Sequence, residues 1–137
     1  MESKITIHPR YVETDRMGIV HHSNYAVWYE LGRIDFCEQL KIPFHEIEAR
    51  GLRQALVNLE STFVKPTVFG KSYTLHTFVT SVKKVKLTFG YTLYDENQAI
   101  VHRGTTLLAW LDEDLKPVNI AKVAPDIFNA LTHALGQ

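Results

Sequence analysis

The run Arg10-Tyr11-Val12-Glu13-Thr14-Asp15-Arg16-Met17-Gly18-Ile19-Val20-His21-His22-Ser23-Asn24-Tyr25 concentrates the groups able to do chemistry. Asp15 lies in a turn-like stretch with Gly18, and two imidazoles follow just before an apolar helical run. A helix N-terminus leaves N–H groups without intrahelical acceptors, and its dipole favours negative charge. An acid presented beside such donors can attack a carbonyl, or activate water to do so, while the donors hold the oxyanion. The stretch therefore predicts a small hydrolase for an activated acyl group.

Each of these residues also has a plainer structural use. Asp is frequent in turns and at helix caps. Gly18 gives the loop either an unusual backbone conformation or close approach to a neighbour. His21 and His22 with Asp15 invite a metal reading, but adjacent side chains diverge and no HExxH or CxxC pattern accompanies them. No metal and no bound cofactor are expected. His22 suits a general base, a group orienting water, or a structural hydrogen bond. Tyr11 suits a pocket hydrogen bond or strand packing, and Glu30 is expected to pair with Arg33 on the same helix. His8, His76, His102 and His133 are expected to serve no chemistry. Lys83, Lys84 and Lys86 form the basic cluster. On a strand Lys84 and Lys86 share a face, suited to a phosphate or to guarding an exposed edge. No GxSxG motif supports serine-hydrolase chemistry.

The elements that must carry these groups follow from hydrophobic period. Ile5 and Ile7 alternate with polar neighbours and predict a first strand running through Tyr11 toward Glu13, with Pro9 marking an edge or bulge. Thr14 to His22 reads as a loop, Ser23 or Asn24 as a helix cap, and 24–41 as a helix ending before Pro43. Val27, Leu31, Ile34, Cys37 and Leu40 form its expected buried stripe. Its first two turns are apolar nearly all round, and Gly32 implies close approach of another backbone. A short helix within 43–51 is followed by strands at 56–65, 73–79, 85–93 and 101–109, the last three in antiparallel hairpins. A closing helix begins at Pro125 and buries Ile127, Leu131 and Leu135. One helix and a mainly antiparallel sheet that must cover it make an α+β fold.

Residues 1–137 read as one domain, long enough to bury a core without disulfides. Apolar residues are 45% and charged residues 22%, the balance of a globular chain. Fifteen basic against fifteen acidic side chains leave no net charge, which argues against a nucleic-acid or anionic-membrane surface. No segment approaches the ~18 apolar residues of a membrane span. Cys37 is the single cysteine, so no internal disulfide forms and a reducing cytoplasmic setting is expected.

The segment from Tyr11 to Tyr25, continued by Trp28-Tyr29-Glu30 and Gly32-Arg33, with Lys65-Pro66 and Gly104-Thr105-Thr106 further on, resembles the hot-dog fold acyl-CoA thioesterases. The resemblance is to the 4-hydroxybenzoyl-CoA thioesterase family and its relative associated with the Tol–Pal envelope system. It implies an antiparallel sheet of about five strands wrapped around one long central helix, and hydrolysis of an acyl-CoA to free acid and CoA. It makes Asp15 the catalytic carboxylate and the His22 amide the group that polarises the thioester carbonyl, with Gly18 shaping that loop. The His22 side chain and Tyr11 are implied as helpers. It also implies dimers with helix beside helix and joined sheets, commonly doubled to tetramers. The acyl group is expected near Met17, Tyr25 and Trp28, and coenzyme A phosphate near Lys84 and Lys86. The rivals are a hot-dog dehydratase or hydratase, which pairs a histidine with a carboxylate on the helix, and a non-catalytic acyl-CoA-binding module.

Overall fold

The computed structural model describes residues 1–135. Five strands form one antiparallel sheet: β1 (Glu2–Ile7), β2 (Arg53–Phe63), β3 (Tyr73–Val82), β4 (Lys86–Tyr94) and β5 (Ile100–Leu111). Their spatial order is β1-β3-β4-β5-β2, so β1 and β2 are the edges. The clean alternation in β4 buries Leu87, Phe89, Tyr91 and Leu93. The β4–β5 turn is closed by the Asp95 carboxylate, whose Oδ1 accepts the N–H groups of Asn97 and Ala99 at 2.8 and 2.9 Å.

β1 and β2 differ from expectation, and β3 and β5 run two or three residues further than expected. β1 stops at Ile7, and Tyr11–Glu13 is a single 3-10 turn, because Pro9 cannot donate to a ladder. β2 starts earlier, at Arg53, and ends at Phe63; Val57 is displaced in a bulge between Leu56 and Asn58.

The long helix α1 (Ser23–Gln39) lies against β1 and β3. Its buried face is Tyr25, Trp28, Tyr29, Gly32, Phe36 and Cys37. The expected stripe is thus wrong at its start, since Val27 and Leu31 are about half exposed while Ile34 and Leu40 are partly buried. With apolar residues on every side of the first turns, period alone does not choose the inward face. Closest approach does: a Cβ at Gly32 would collide with Thr77 Oγ1 and lie 3.1 Å from Leu75 Cδ2, so Gly32 must face β3. Helices α2 (Phe44–Ala49), α3 (Ile120–Val123) and α4 (Pro125–Leu135) complete the fold. In α4, Ile127 and Leu131 are buried as expected, but Ala134 takes the inward position in place of Leu135.

Candidate active site

Asp15 sits in an ordered hairpin, not a loose loop. His21 N–H donates to the Glu13 carbonyl at 2.8 Å and Asp15 N–H to the Ile19 carbonyl at 2.8 Å, so residues 13–15 and 19–21 pair antiparallel. Gly18 N–H closes the turn onto the Asp15 carbonyl at 3.0 Å. Gly18 has φ +80° and nothing within 4 Å of where a Cβ would lie, so its role is conformational and not close approach. The hairpin is tied to the connection between β2 and β3 by Val20 N–H donating to the Thr67 carbonyl and by a bridge between Ile19 and Val68. The Asp15 carboxylate is half-buried; Oδ1 accepts Met17 N–H at 2.8 Å, and Oδ2 has no partner among the described residues.

The hairpin delivers its return arm into the start of α1. Neither Ser23 nor Asn24 caps this helix; the residue before the first turn is His22, whose side chain forms no cap. His21 Nδ1 instead accepts Ser23 N–H at 3.2 Å and lies 2.9 Å from Ser23 Oγ. Asn24 Nδ2 reaches back to the Glu13 and His21 carbonyls at 3.0 and 3.2 Å. Asn24 N–H donates to the His21 carbonyl and Tyr25 N–H to the His22 carbonyl. From His21 to Tyr25, among the described residues, the His22 N–H is therefore the one main-chain donor without an acceptor. The two imidazoles lie with ring centres 4.0 Å apart at 32°. Both rings are exposed; His21 bonds Ser23, whereas the His22 ring contacts His21 and forms no hydrogen bond among the described residues.

Other expected site residues are placed differently. Tyr11 is exposed and meets Phe69 edge-on at 5.7 Å, and Met17 is exposed in the turn. Tyr25 and Trp28 cannot touch a substrate here, because both point into the core, at 2% and 3% exposure. The Tyr25 hydroxyl bonds Thr67 Oγ1 at 2.8 Å and its ring stacks on His102 at 4.1 Å. Lys84 lies in the β3–β4 connection and only Lys86 in β4, so the shared strand face does not exist. Both lysines are at the far end of the sheet from Asp15: Lys86 pairs with Ala109, whereas the hairpin abuts residues just before β3 begins at Tyr73. Ten strand residues at ~3.3 Å each separate these ends by roughly 30 Å. Glu30 and Arg33 form no ion pair among the described residues; Arg33 Nη1 donates to the Tyr91 hydroxyl at 3.0 Å.

A recess of about 500 Å³ opens between α1, α2 and β2, on the flank that α1 leaves uncovered. Val27, Phe44, Ile47, Leu56, Leu59 and Leu108 supply its apolar wall, and Glu30, Arg33 and Thr106 its polar part. Asp15 is not among the residues lining it.

Sequence reasoning passed over two buried polar groups. Glu13 is 4% exposed, and its carboxylate accepts Arg10 N–H at 2.7 Å and Trp28 Nε1–H at 3.2 Å. No local spacing announces this, because Trp28 is fifteen residues away. His102 is also buried, its Nε2 bonded to the Tyr29 hydroxyl and its Nδ1 without a partner. Burial pulls the His102 imidazole down to about 4 and, with Tyr91 nearby, pushes the Tyr29 hydroxyl up to about 12 despite its bond to Ser61.

Residues 9–131 match the model of the thioesterase-like superfamily. The chain is 32% identical to the "Putative acyl-CoA thioesterase YneP" of Bacillus subtilis (strain 168), over 96% of each chain. It is similar to the crystal structure of the DHNA-CoA thioesterase from Staphylococcus aureus, with TM-score 0.94 and 26% identity over 98% of this chain and 91% of that one. The hypothetical protein TT1821 from Thermus thermophilus superposes with TM-score 0.89 at 35% identity, over 96% and 98% of the two chains.

Proposed function

The chain belongs to the thioesterase-like superfamily and has its hot-dog fold, and from that premise we propose that it hydrolyses an acyl-CoA to a free acid and CoA. The observation that carries this reading is the unpaired His22 N–H at the start of α1, delivered by the same hairpin that holds Asp15. The thioester carbonyl oxygen sits on the His22 N–H, where the helix dipole adds to the donor and stabilises the tetrahedral oxyanion. The Asp15 oxygen without a partner attacks the carbonyl carbon, forming an anhydride that water then cleaves to release the free acid and restore the carboxylate, or it removes a proton from a water that attacks directly. In either route the carbon–sulfur bond breaks and the CoA thiolate leaves and takes up a proton. In this reading the exposed His22 imidazole and the exposed Tyr11 hydroxyl supply further donors. No metal or bound cofactor enters this scheme.

A second copy completes the site in this proposal. Leu56 and Leu59 on the β2 edge strand are exposed beside Val27 and Leu31 of α1, an apolar strip that two copies cover by pairing β2 with β2 and helix with helix. Antiparallel pairing across a twofold axis reverses the second sheet. The β3–β4 connection of one copy then lies at the Asp15 end of the other, and Lys84 and Lys86 reach the CoA phosphates from there. The recess beside Val27 and Leu56 takes the acyl group. No helix among the described residues is long and apolar enough to cross a membrane. A single buried cysteine, its thiol pushed up to about 12 by burial, fits work in the reducing cytoplasm.

The test is thiol release from acetyl-, octanoyl-, palmitoyl- and benzoyl-CoA. Hydrolysis of at least one with saturable kinetics supports the proposal. Binding without thiol release makes the chain an acyl-CoA-binding module, and hydration of crotonyl-CoA without thiol release makes it a hydratase.

A further inference from the structure

Glu13 stands at the base of the hairpin, where the arm leading to Asp15 is joined to the residue just before His22. Its main-chain carbonyl accepts His21 N–H at 2.8 Å and Asn24 Nδ2 at 3.0 Å, which fixes the residue before His22 and the first turn of α1. Its side chain works in the other direction. Oε1 accepts Arg10 N–H at 2.7 Å, with Arg10 Nε 3.6 Å away, and so pins the 3-10 turn that leads to Asp15. Oε2 accepts Trp28 Nε1–H at 3.2 Å, which sets the rotation of α1 about its own axis. At 4% exposure this carboxylate has little water to fall back on, so both acceptor oxygens must be matched by donors. Two residues along the chain lies Asp15; one residue beyond its hydrogen-bonded partner His21 lies His22.

We propose that Glu13 is a positioning residue for thioester hydrolysis: its buried carboxylate sets the separation between the Asp15 oxygen and the His22 N–H, without touching the substrate. The proposal rests on the catalytic reading of Asp15 given above. Reactions that need an attacking oxygen and an oxyanion donor on one carbonyl are steep in geometry, and a misplacement of about 1 Å costs roughly a hundredfold. Binding of CoA elsewhere on the surface is not sensitive to that separation, so the effect falls on kcat and spares KM.

Glu13→Gln keeps the shape but has a single acceptor oxygen, so Arg10 N–H or Trp28 Nε1–H loses its partner. Assayed by thiol release from octanoyl-CoA and benzoyl-CoA, whichever the wild type turns over faster, Glu13→Gln is expected to lower kcat about tenfold or more with KM within about threefold. The indole N–H resonance of Trp28 shifts in the same variant. Trp28→Phe removes the donor from the helix side alone and is expected to lower kcat in the same sense. Adding Glu13→Gln to it then costs less than in the wild type, the non-additive result expected of partners. If Glu13→Gln does not fold, Trp28→Phe decides the matter by itself. A folded Glu13→Gln or Trp28→Phe protein with wild-type kcat overturns the proposal. So does a fall in kcat that only tracks the loss of folded protein. Asp15→Asn run alongside separates the two readings: if it is inactive while Glu13→Gln is normal, only the role of Glu13 falls; if it is fully active, both fall.

Discussion

At Gly18 the chain turns with φ +80°, a conformation that side chains bearing a Cβ adopt only with strain, and the space around it is open. Replacement should therefore be limited by backbone energy alone. Gly18→Val is expected to destabilise by roughly 1 to 2 kcal/mol and Gly18→Asn by less, since Asn tolerates the left-handed region; urea unfolding of the two variants measures the difference. The same scale holds the acid sensitivity of the molecule. His102 stays neutral in the folded state down to about 4, whereas the unfolded chain takes up a proton below the ordinary value of 6.5. Between those limits the unfolded state binds more protons, so stability falls as pH drops from 6.5 toward 4, by up to about 1.4 kcal/mol per pH unit, and is fully present above 6.5. His102→Phe should flatten that slope in unfolding experiments run from pH 7 to 4; an unchanged slope would assign the acid sensitivity to other groups. At this scale the turn at Asp15 and Gly18 was legible from residue type and spacing, whereas the His22 amide came only from the family resemblance; the structure shows it as a main-chain N–H without an acceptor among the described residues. Glu13 and His102 were not legible, because a buried polar group is identified by its distant partners, and those are brought near only by the fold.

For the elements, legibility followed periodicity. β3, β4 and β5 bury every second residue along much of their length, so their alternation marked them within a residue or three of their ends. The end of β1 was misjudged because Pro9 breaks the ladder while the apolar alternation runs on to Tyr11. The face of α1 was misjudged for a different reason: an apolar residue on every side leaves the choice to shape, and Gly32 against Thr77 makes it. Gly32→Ala should cost about 2 kcal/mol or more, because the new methyl group meets Thr77 Oγ1 in a close-packed seam. Thr77→Ala in the same protein should restore much of the loss by clearing that space. Thermal unfolding of the single and double variants reads this directly; equal destabilisation in both would place the strain elsewhere.

The whole molecule, taken as one copy, separates the acid from the recess and from the lysines. In the proposed pairing, a second copy seated on the exposed strip of Val27, Leu31, Leu56 and Leu59 would resolve that separation. Leu59→Lys together with Val27→Glu should give a folded monomer by analytical ultracentrifugation, with thiol release reduced at least tenfold; a fully active monomer would remove the second copy from the site. The sequence carried the antiparallel sheet and the long helix, but it could not say which apolar residues on α1 meet the sheet and which are left exposed. Both faces are apolar, and only the three-dimensional packing divides them.

The central claim is that the Asp15 carboxylate, carried by the same hairpin as the His22 N–H, does the chemistry. Its most direct measurement is kcat for thiol release by Asp15→Asn, with circular dichroism and oligomeric state compared with the wild type. The account predicts a loss of about a hundredfold or more in a protein of unchanged fold and assembly. Turnover within a few fold of wild type, in such a protein, would contradict it.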